Sequence, residues 1–287
     1  MKKVLVTGEN GYIGTKFKEW IQSSNNKIEL NYISVRGENW REIDFNGYDA
    51  VLHLAGIAHV SRNPKFKEMY YQINRNLTVD LAKKAKRENV NQFIFMSSII
   101  VYGNASEINL YTVPKPADFY GDSKLMAENE LKNIFKDENQ KLSILRIPMV
   151  YGNNSKGNYN VLSKFAQKIP ATPRYENKRS MIYIGNLCKY ISNVINKEYS
   201  GTFYPQNKEY VSTKGLVKTI SKVYGKKCYE IIGLNLLIKL LIPKLNIFNK
   251  VFGDLYYAKD LSSEIEKLDF VEFEQSIIET ELNNKEI

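Results

Sequence analysis

Tyr120 and Lys124 stand four residues apart, so on a helix they share a face. A free phenol titrates near about pH 10 and is mostly protonated at neutrality. A lysine cation held close to it, at the amino end of a helix, favours the phenolate. Such a phenol can exchange a proton with an alcohol or sugar oxygen. Ser98 is the natural third member. The apolar run Gln92-Phe93-Ile94-Phe95-Met96 reads as a buried strand that delivers Ser97-Ser98 at its carboxyl end, where open α/β sheets hold their ligands. There the Ser98 hydroxyl can hydrogen-bond the same substrate oxygen. A tyrosine and a lysine at this spacing are common by chance, so their weight depends on the elements that position them.

Those elements begin at the amino end. Lys3-Val4-Leu5-Val6-Thr7 reads as a short buried strand, broken by Gly8-Glu9-Asn10-Gly11-Tyr12-Ile13-Gly14 and followed by a helical pattern through Phe17, Trp20 and Ile21. Strand, glycine-punctuated turn and helix in that order form a site for a dinucleotide pyrophosphate. Gly8 permits the tight turn, Gly11 lets backbone approach phosphate and Gly14 lets the helix pack on the strand. The spacing is GxxGxxG rather than GxGxxG, and a plain strand-turn-helix corner is the competing reading.

A second strand is expected over 27–35. No Asp or Glu closes it at Ile33-Ser34-Val35, and Arg36 follows. An acidic residue there would hold a ribose 2′-hydroxyl, whereas a guanidinium favours a 2′-phosphate. Arg36 therefore points to NADP(H), with NAD(H) as the alternative cofactor and a solvated surface arginine as the competing reading. The next buried strand, Asp49 to Gly56, ends in Leu54-Ala55-Gly56, where small residues let a cofactor lie against the strand end. His53 inside that run reads as a structural histidine in preference to a base. A helix is expected over 69–88, carrying Asn74, and another from Lys124 to about Phe135.

The chain has 287 residues, 43% hydrophobic and 25% charged, as in an ordinary globular protein of one large domain or one domain with an annex. The formal charge of +10 comes from scattered lysines with no nucleic-acid-binding motif, so nucleic acid is not an expected partner and anionic small substrates are. No run of eighteen apolar residues suggests a membrane span, and Val4-Leu5-Val6 is too short for a signal peptide. Cys188 and Cys228 lack metal or disulfide spacing and read as reduced thiols in a cytoplasmic protein that needs no metal.

In order along the chain, Thr7 to Gly14, His53-Leu54-Ala55, Asn74, Ser97-Ser98 with Val101-Tyr102-Gly103, Tyr120-xxx-Lys124, Arg146 through Tyr151-Gly152 and Arg179 through Tyr183 resemble the extended short-chain dehydrogenase/reductase family. The likeness is to its nucleotide-sugar epimerase, dehydratase and reductase branch. It implies an α/β fold, a Rossmann doubly wound parallel sheet with a smaller C-terminal substrate-binding part. The expected division is a dinucleotide-binding domain over 1–152 and a substrate part over 153–287, with segments near 181–196 and 212–224 returning to the Rossmann body. By the same resemblance Ser98, Tyr120 and Lys124 are the catalytic triad. Gly8, Asn10, Gly11, Tyr12, Ile13, Gly14, Arg36, Leu54, Ala55, Gly56 and Asn74 would hold the cofactor, together with Tyr120 and Lys124. Pro148 and Val150 would flank the nicotinamide, and Arg179 would bind the diphosphate of a UDP-sugar.

Departures from the family narrow the reaction. Its dehydratases place an Asp-Glu pair after the catalytic hydroxyl, where this chain has Ile99-Ile100, and aliphatic side chains do no acid–base work. Its epimerases carry an acidic residue after the second strand, where Arg36 stands, and a polar substrate contact where Met149 stands. The closest likeness is to reductases of UDP-4-keto-6-deoxy-N-acetylhexosamines in bacterial capsule and O-antigen pathways. A UDP-sugar 4-epimerase is the second reading, and a non-catalytic NADP-binding scaffold the third. A homodimer is compatible with all three.

One stretch stands outside this scheme. Over 234–252, Leu236, Leu237, Leu240, Leu241, Ile247, Phe248, Val251 and Phe252 interleave with Lys239, Lys244 and Lys250, and Pro243 interrupts the pattern. A helix pair covering the substrate cleft or a subunit contact is the favoured reading; a basic amphipathic segment touching a membrane is the rival. The polar tail from Asn283 is expected to fray.

Overall fold

A computed structural model describes residues 1–58, 63–137, 139–155 and 157–283. The chain forms two compact units: Met1–Asn104, Thr112–Pro148 and Leu187–Pro205 make the first, and Ala105–Tyr111, Met149–Asn186 and Gln206–Ile287 the second. The tail expected to fray falls, from residue 284 on, outside the described residues.

The first unit is built on one parallel sheet. Strand β1 (Lys2–Thr7) buries Val4, Leu5, Val6 and Thr7. It pairs in parallel with β2 (Ile28–Ile33) on one side and β3 (Ala50–His53) on the other. Strands β4 (Gln92–Ser98), β5 (Lys141–Ile147) and β6 (Gly201–Phe203) extend the sheet, giving the order β6-β5-β4-β3-β1-β2. Strands covered on both faces need near-continuous apolar runs, and all seven residues of β4 are buried accordingly. The direction of winding reverses between β1 and β3. The crevice beyond their carboxyl ends is where such sheets take ligands.

Between β2 and β3 the chain makes only a short 3₁₀ turn, Asn39–Arg41, so β2 is an edge strand. Trp40 and Phe45 from this connection are fully buried in the core beside Leu5, Val51, Leu81 and Phe93, which anchors it without a strand. Helix α1 (Tyr12–Ser23) follows the glycine turn. The single helix predicted over 69–88 is interrupted: a helical turn at Lys67–Tyr70 opens into a π-turn at Tyr71–Asn76 before α2 (Leu77–Arg87). Helix α3 (Phe119–Ile134) begins earlier than the apolar pattern predicts, because Asp118 caps it by accepting a hydrogen bond from the Gly121 N–H at 3.0 Å. Tyr120 thereby falls in its first turn. Helix α4 (Ile184–Lys197) belongs to this unit from Leu187 on; of the stretch 181–196 expected on the Rossmann body, residues 181–186 fall in the second unit.

Behind α3 lies a buried ion pair. The Arg146 guanidinium grips Glu128 from Nη2 at 2.6 Å and from Nε at 3.1 Å, and its Nη1 donates to the Tyr102 hydroxyl at 2.5 Å. Ser97 donates to the same carboxylate at 2.5 Å. Glu128 is wholly buried and Arg146 nearly so.

The second unit has its own core of Tyr151, Tyr159, Met181, Val211, Leu216, Val217, Ile220 and Ile277. Helices Asn158–Lys168, Thr213–Val223 and Phe273–Asn283 surround it, with the short parallel pair Met149–Tyr151 and Met181–Tyr183. The segment 212–224, expected on the Rossmann body, belongs here instead. Its apolar stripe Leu216, Val217 and Ile220 matches this core, and Ser212 starts the helix by accepting from Gly215 N–H at 2.9 Å. The stretch 234–252 forms two helices, Asn235–Leu241 and Asn246–Phe252, with Pro243 between them.

Breaking the buried pair on one side strands a charge, which costs about 3–5 kcal/mol. We predict that Glu128→Ala lowers the unfolding free energy by that amount in urea titrations. The paired replacement Glu128→Leu with Arg146→Met should lose much less, because it removes both charges.

Candidate functional site

The glycine turn is shaped by what a side chain would hit. Gly8 has φ +82°, and a Cβ on it would lie 2.8 Å from the Ala55 nitrogen. At Gly14 a Cβ would lie 2.4 Å from the Gly8 carbonyl oxygen. Both distances are below any real contact, so the turn, the helix and the chain after β3 close on one another only because these residues lack side chains. Gly11 is the N-cap of α1 and supplies no side-chain cap, and the first turn holds no acidic residue. Asn10 and Gly11 are exposed, with Tyr12 and Ile13 opening the helix behind them. The positive end of the helix dipole thus lies at an exposed turn without an acidic residue in the helix's first turn, which suits a pyrophosphate.

A directional hydrogen-bond chain ties this turn to the far side of the site. The Ala55 N–H donates to Thr7 Oγ1 at 3.2 Å, and Thr7 Oγ1 meets His53 Nδ1 at 2.8 Å. His53 Nε2 meets Thr78 Oγ1 at 2.9 Å, and Thr78 donates to the Asn74 carbonyl at 2.9 Å. Since Thr78 spends its proton on Asn74, it must accept from His53; Nε2 carries the proton and Nδ1 accepts from Thr7. Burial holds His53 down at about 3, and the Lys124 ammonium adds to the effect. It is neutral and fully partnered, as a structural histidine. Asn74, itself buried in the π-turn, accepts from the Ile57 N–H at 2.8 Å and donates to the Ile57 carbonyl at 3.0 Å and to Ser123 Oγ at 3.2 Å. It clamps the chain just past Leu54-Ala55-Gly56.

Ser98 and Tyr120 are brought together. Burial pushes the Tyr120 phenol up to about 12, and its hydrogen bond to Ser98 works against that shift. Ser98 also accepts from the Ile100 N–H at 3.4 Å, which holds the hydroxyl at the strand end. Lys124 lies one turn along α3 but is aimed elsewhere than the sequence reading supposes. Its Nζ donates to the Met96 carbonyl at 2.9 Å, sits 4.6 Å over the Phe95 ring, and would be 3.4 Å from a Cβ on Gly56. Burial lowers it to about 8, and the Glu128 carboxylate resists that fall. The lysine therefore faces the loop after β3, with Asn74 Oδ1 3.0 Å from the same imagined Cβ.

Arg36 is exposed past the end of β2, and among the described residues its guanidinium has no ion-pair or hydrogen-bond partner. Nearby Arg41, by contrast, is occupied by Glu38 and Asp80. Pro148 is buried at the end of the first unit. Val150 and Arg179 belong to the second unit. There Arg179 lines a cavity of about 450 Å³ with Met149, Val161, Leu216 and Lys250 among its walls, and its Nη1 donates to the Gly253 carbonyl at 3.0 Å. Sequence reasoning missed Thr78, the Met96 carbonyl and the Glu128–Arg146 pair. Glu128 had a signal: it is polar, four residues past Lys124, on the helix face turned to the core. Among the described residues no cluster of His, Cys, Asp or Glu could hold a metal, and no helix is long and apolar enough to cross a membrane.

His53 stays unprotonated in the fold while an unfolded histidine takes up a proton below about pH 6.5. The unfolded state then binds more protons, so stability falls as pH falls from about 6.5 toward 3. We predict that His53→Gln flattens this part of the stability–pH curve, by about 1.4 kcal/mol per pH unit, in urea titrations between pH 7.5 and pH 5.

Known proteins resemble this chain in sequence and in fold. The model of the NAD dependent epimerase/dehydratase family matches residues 4–211. A UDP-glucose 4-epimerase of Vibrio cholerae is 28% identical over 278 residues, covering 88% of this chain and 83% of that protein. An N-acetyl-alpha-D-glucosaminyl-diphospho-ditrans,octacis-undecaprenol 4-epimerase of Escherichia coli O157:H7 is 28% identical over 205 residues, 66% of this chain and 61% of that one. Among solved structures, a UDP-N-acetylglucosamine 4-epimerase from Bacillus cereus superposes with a TM-score of 0.78 at 21% identity, over 99% of this chain and 100% of the other.

Proposed function

Because the chain belongs to the NAD-dependent epimerase/dehydratase family, we propose that it is an extended short-chain dehydrogenase/reductase acting at C4 of a UDP-sugar, with Ser98, Tyr120 and Lys124 as its catalytic residues. The observation that carries this reading is Ser98 at the carboxyl end of β4, close enough to Tyr120 to work against the rise that burial gives its phenol. Gly8 to Gly14, Leu54-Ala55-Gly56, Asn74, Lys124, Pro148 and Val150 would hold a nicotinamide cofactor, which would supply hydride-transfer chemistry at the sugar carbon. The residues fit it: the glycine cradle would be filled by any Cβ, and Arg36 offers an uncommitted cation.

Tyr120 passes its proton to, or takes it from, the C4 oxygen, and Ser98 holds phenol and oxygen in one hydrogen-bonded line. Lys124, at about 8, keeps its proton through neutral pH and places a positive charge at the cofactor side of the phenol. Ile99 and Ile100 following Ser98 supply no group for dehydration. Arg179 lines the second unit's cavity as the cation for the substrate diphosphate.

Two outcomes of this chemistry have separate support. Reduction of a UDP-4-keto-6-deoxy-N-acetylhexosamine, supplying a surface polysaccharide such as capsule, is favoured by Arg36, since a free guanidinium at the end of β2 suits the 2′-phosphate of an exchanging NADP(H). Epimerisation with retained NAD(H) is favoured by the activities named for the sequence relatives. The cofactor released on denaturation separates them: stoichiometric NAD indicates an epimerase, and an empty site with steady NADPH consumption on the ketosugar indicates a reductase.

We predict that Tyr120→Phe lowers kcat by about 10³-fold or more, while cofactor fluorescence titrations are unchanged. Arg36→Ala should weaken NADPH by about tenfold or more and leave NADH binding unaffected. Equal losses for both cofactors would refute the assignment of Arg36.

A further inference from the structure

Between Tyr229 and Leu240 most apolar side chains are exposed. In the helix Asn235–Leu241 only Ile238 is buried, whereas Leu236, Leu237 and Leu240 are 71%, 52% and 54% exposed. A surface helix of a globular protein does the reverse. These three leucines cover nothing within the chain, whereas Lys250 and Val251 of the following helix do line the cavity that holds Arg179. Tyr229 and Ile231, exposed on the strand Tyr229–Ile231, pair with Ala171–Pro173, beside exposed Ile169. Val161 and Phe165, four apart on the preceding helix, are exposed too.

The charge on this stretch has one sign. No Asp or Glu lies between Glu230 and Asp254, while Lys239, Lys244 and Lys250 do. Among the described residues none of these three lysines forms an ion pair. On the neighbouring helix Thr213–Val223 the lysines do hold glutamates: Lys214 with Glu176, Lys218 with Glu230 and Lys222 with Glu274.

We propose that this face docks on an anionic lipid surface, its leucines at the headgroup–acyl boundary and its lysines among the lipid phosphates. Charge selects this occupant over a second copy of the chain. In a two-fold contact the same unpaired lysines meet their own counterparts with no acid between Glu230 and Asp254 to receive them, whereas a sheet of phosphates complements them all. Val161 and Lys250 also line the cavity that holds Arg179, so docking brings that cavity to the level of the headgroups. The inference stands independently of the enzymatic reading.

Co-sedimentation of the full chain with vesicles tests it, with neither substrate nor cofactor present. Vesicles rich in phosphatidylglycerol should pellet the protein at low salt, about tenfold better than pure phosphatidylcholine vesicles. Leu236→Gln with Leu240→Gln should cut that partitioning by about tenfold or more, with an unchanged melting curve because both side chains are already exposed. Lys239→Glu with Lys244→Glu should abolish the preference for anionic lipid. A protein that stays in the supernatant with anionic vesicles overturns the proposal. So does binding that neither double variant reduces. A dimer in light scattering that the leucine variant dissociates, without vesicle binding, assigns the face to a second copy.

Discussion

At Gly8 two backbones meet without side chains between them, and the first unit is arranged around that contact. The turn after β1 lies against Leu54 and Ala55 after β3, so closely that a single methyl group would not fit. Parallel strands on either side of a reversal in winding diverge at their carboxyl ends and leave a crevice. Here two backbones meet in contact, with no side chain of Gly8 between them. Thr7, directly before Gly8, then secures the contact by accepting from Ala55 N–H. Gly14 does the same for the helix, whose carbonyl-to-methyl distance would otherwise be 2.4 Å. What the turn requires and what the sheet requires are at this point one constraint.

From that contact a chain of polar groups reaches inward through His53 and Thr78 to Asn74, and a second set surrounds Lys124 from behind. The two differ in kind. The first is neutral, short and fully assigned, so it fixes geometry with little electrostatic consequence. The second is charged. Glu128 supports the Lys124 cation against desolvation, and Arg146 in turn compensates Glu128. Buried charges are tolerated when each finds its partner, and here one ion pair lets a third charge stay inside.

Much of this was legible in the sequence, for reasons that are local. Strands buried on both faces read as apolar runs, and β1 and β4 do. The glycines at 8, 11 and 14 and the spacing of Tyr120 and Lys124 are fixed offsets within single elements. What escaped were facts that need a second element. The aim of Lys124 depends on the Met96 carbonyl, twenty-eight residues away. The placement of the helix Thr213–Val223 depends on which core its stripe matches, which periodicity alone does not state. The lack of a strand between β2 and β3 agrees with the shortness of that connection, but the burial of Trp40 that replaces it has no periodic signature.

The π-turn at Tyr71–Asn76 escaped as well, and it sets a limit on how this chain can vary. A π-turn holds one more residue than the α-turn it replaces. Removing any one residue there would restore a regular helix and rotate everything before it by about 100° relative to α2. Asn74 would leave Ile57, or Tyr70 and Tyr71 would leave the face they share with α3, where Tyr71 donates to Asp122. Substitutions in this stretch act one side chain at a time, but a deletion would shift the whole register. In this part of the chain, length is therefore as much a part of the site as residue type.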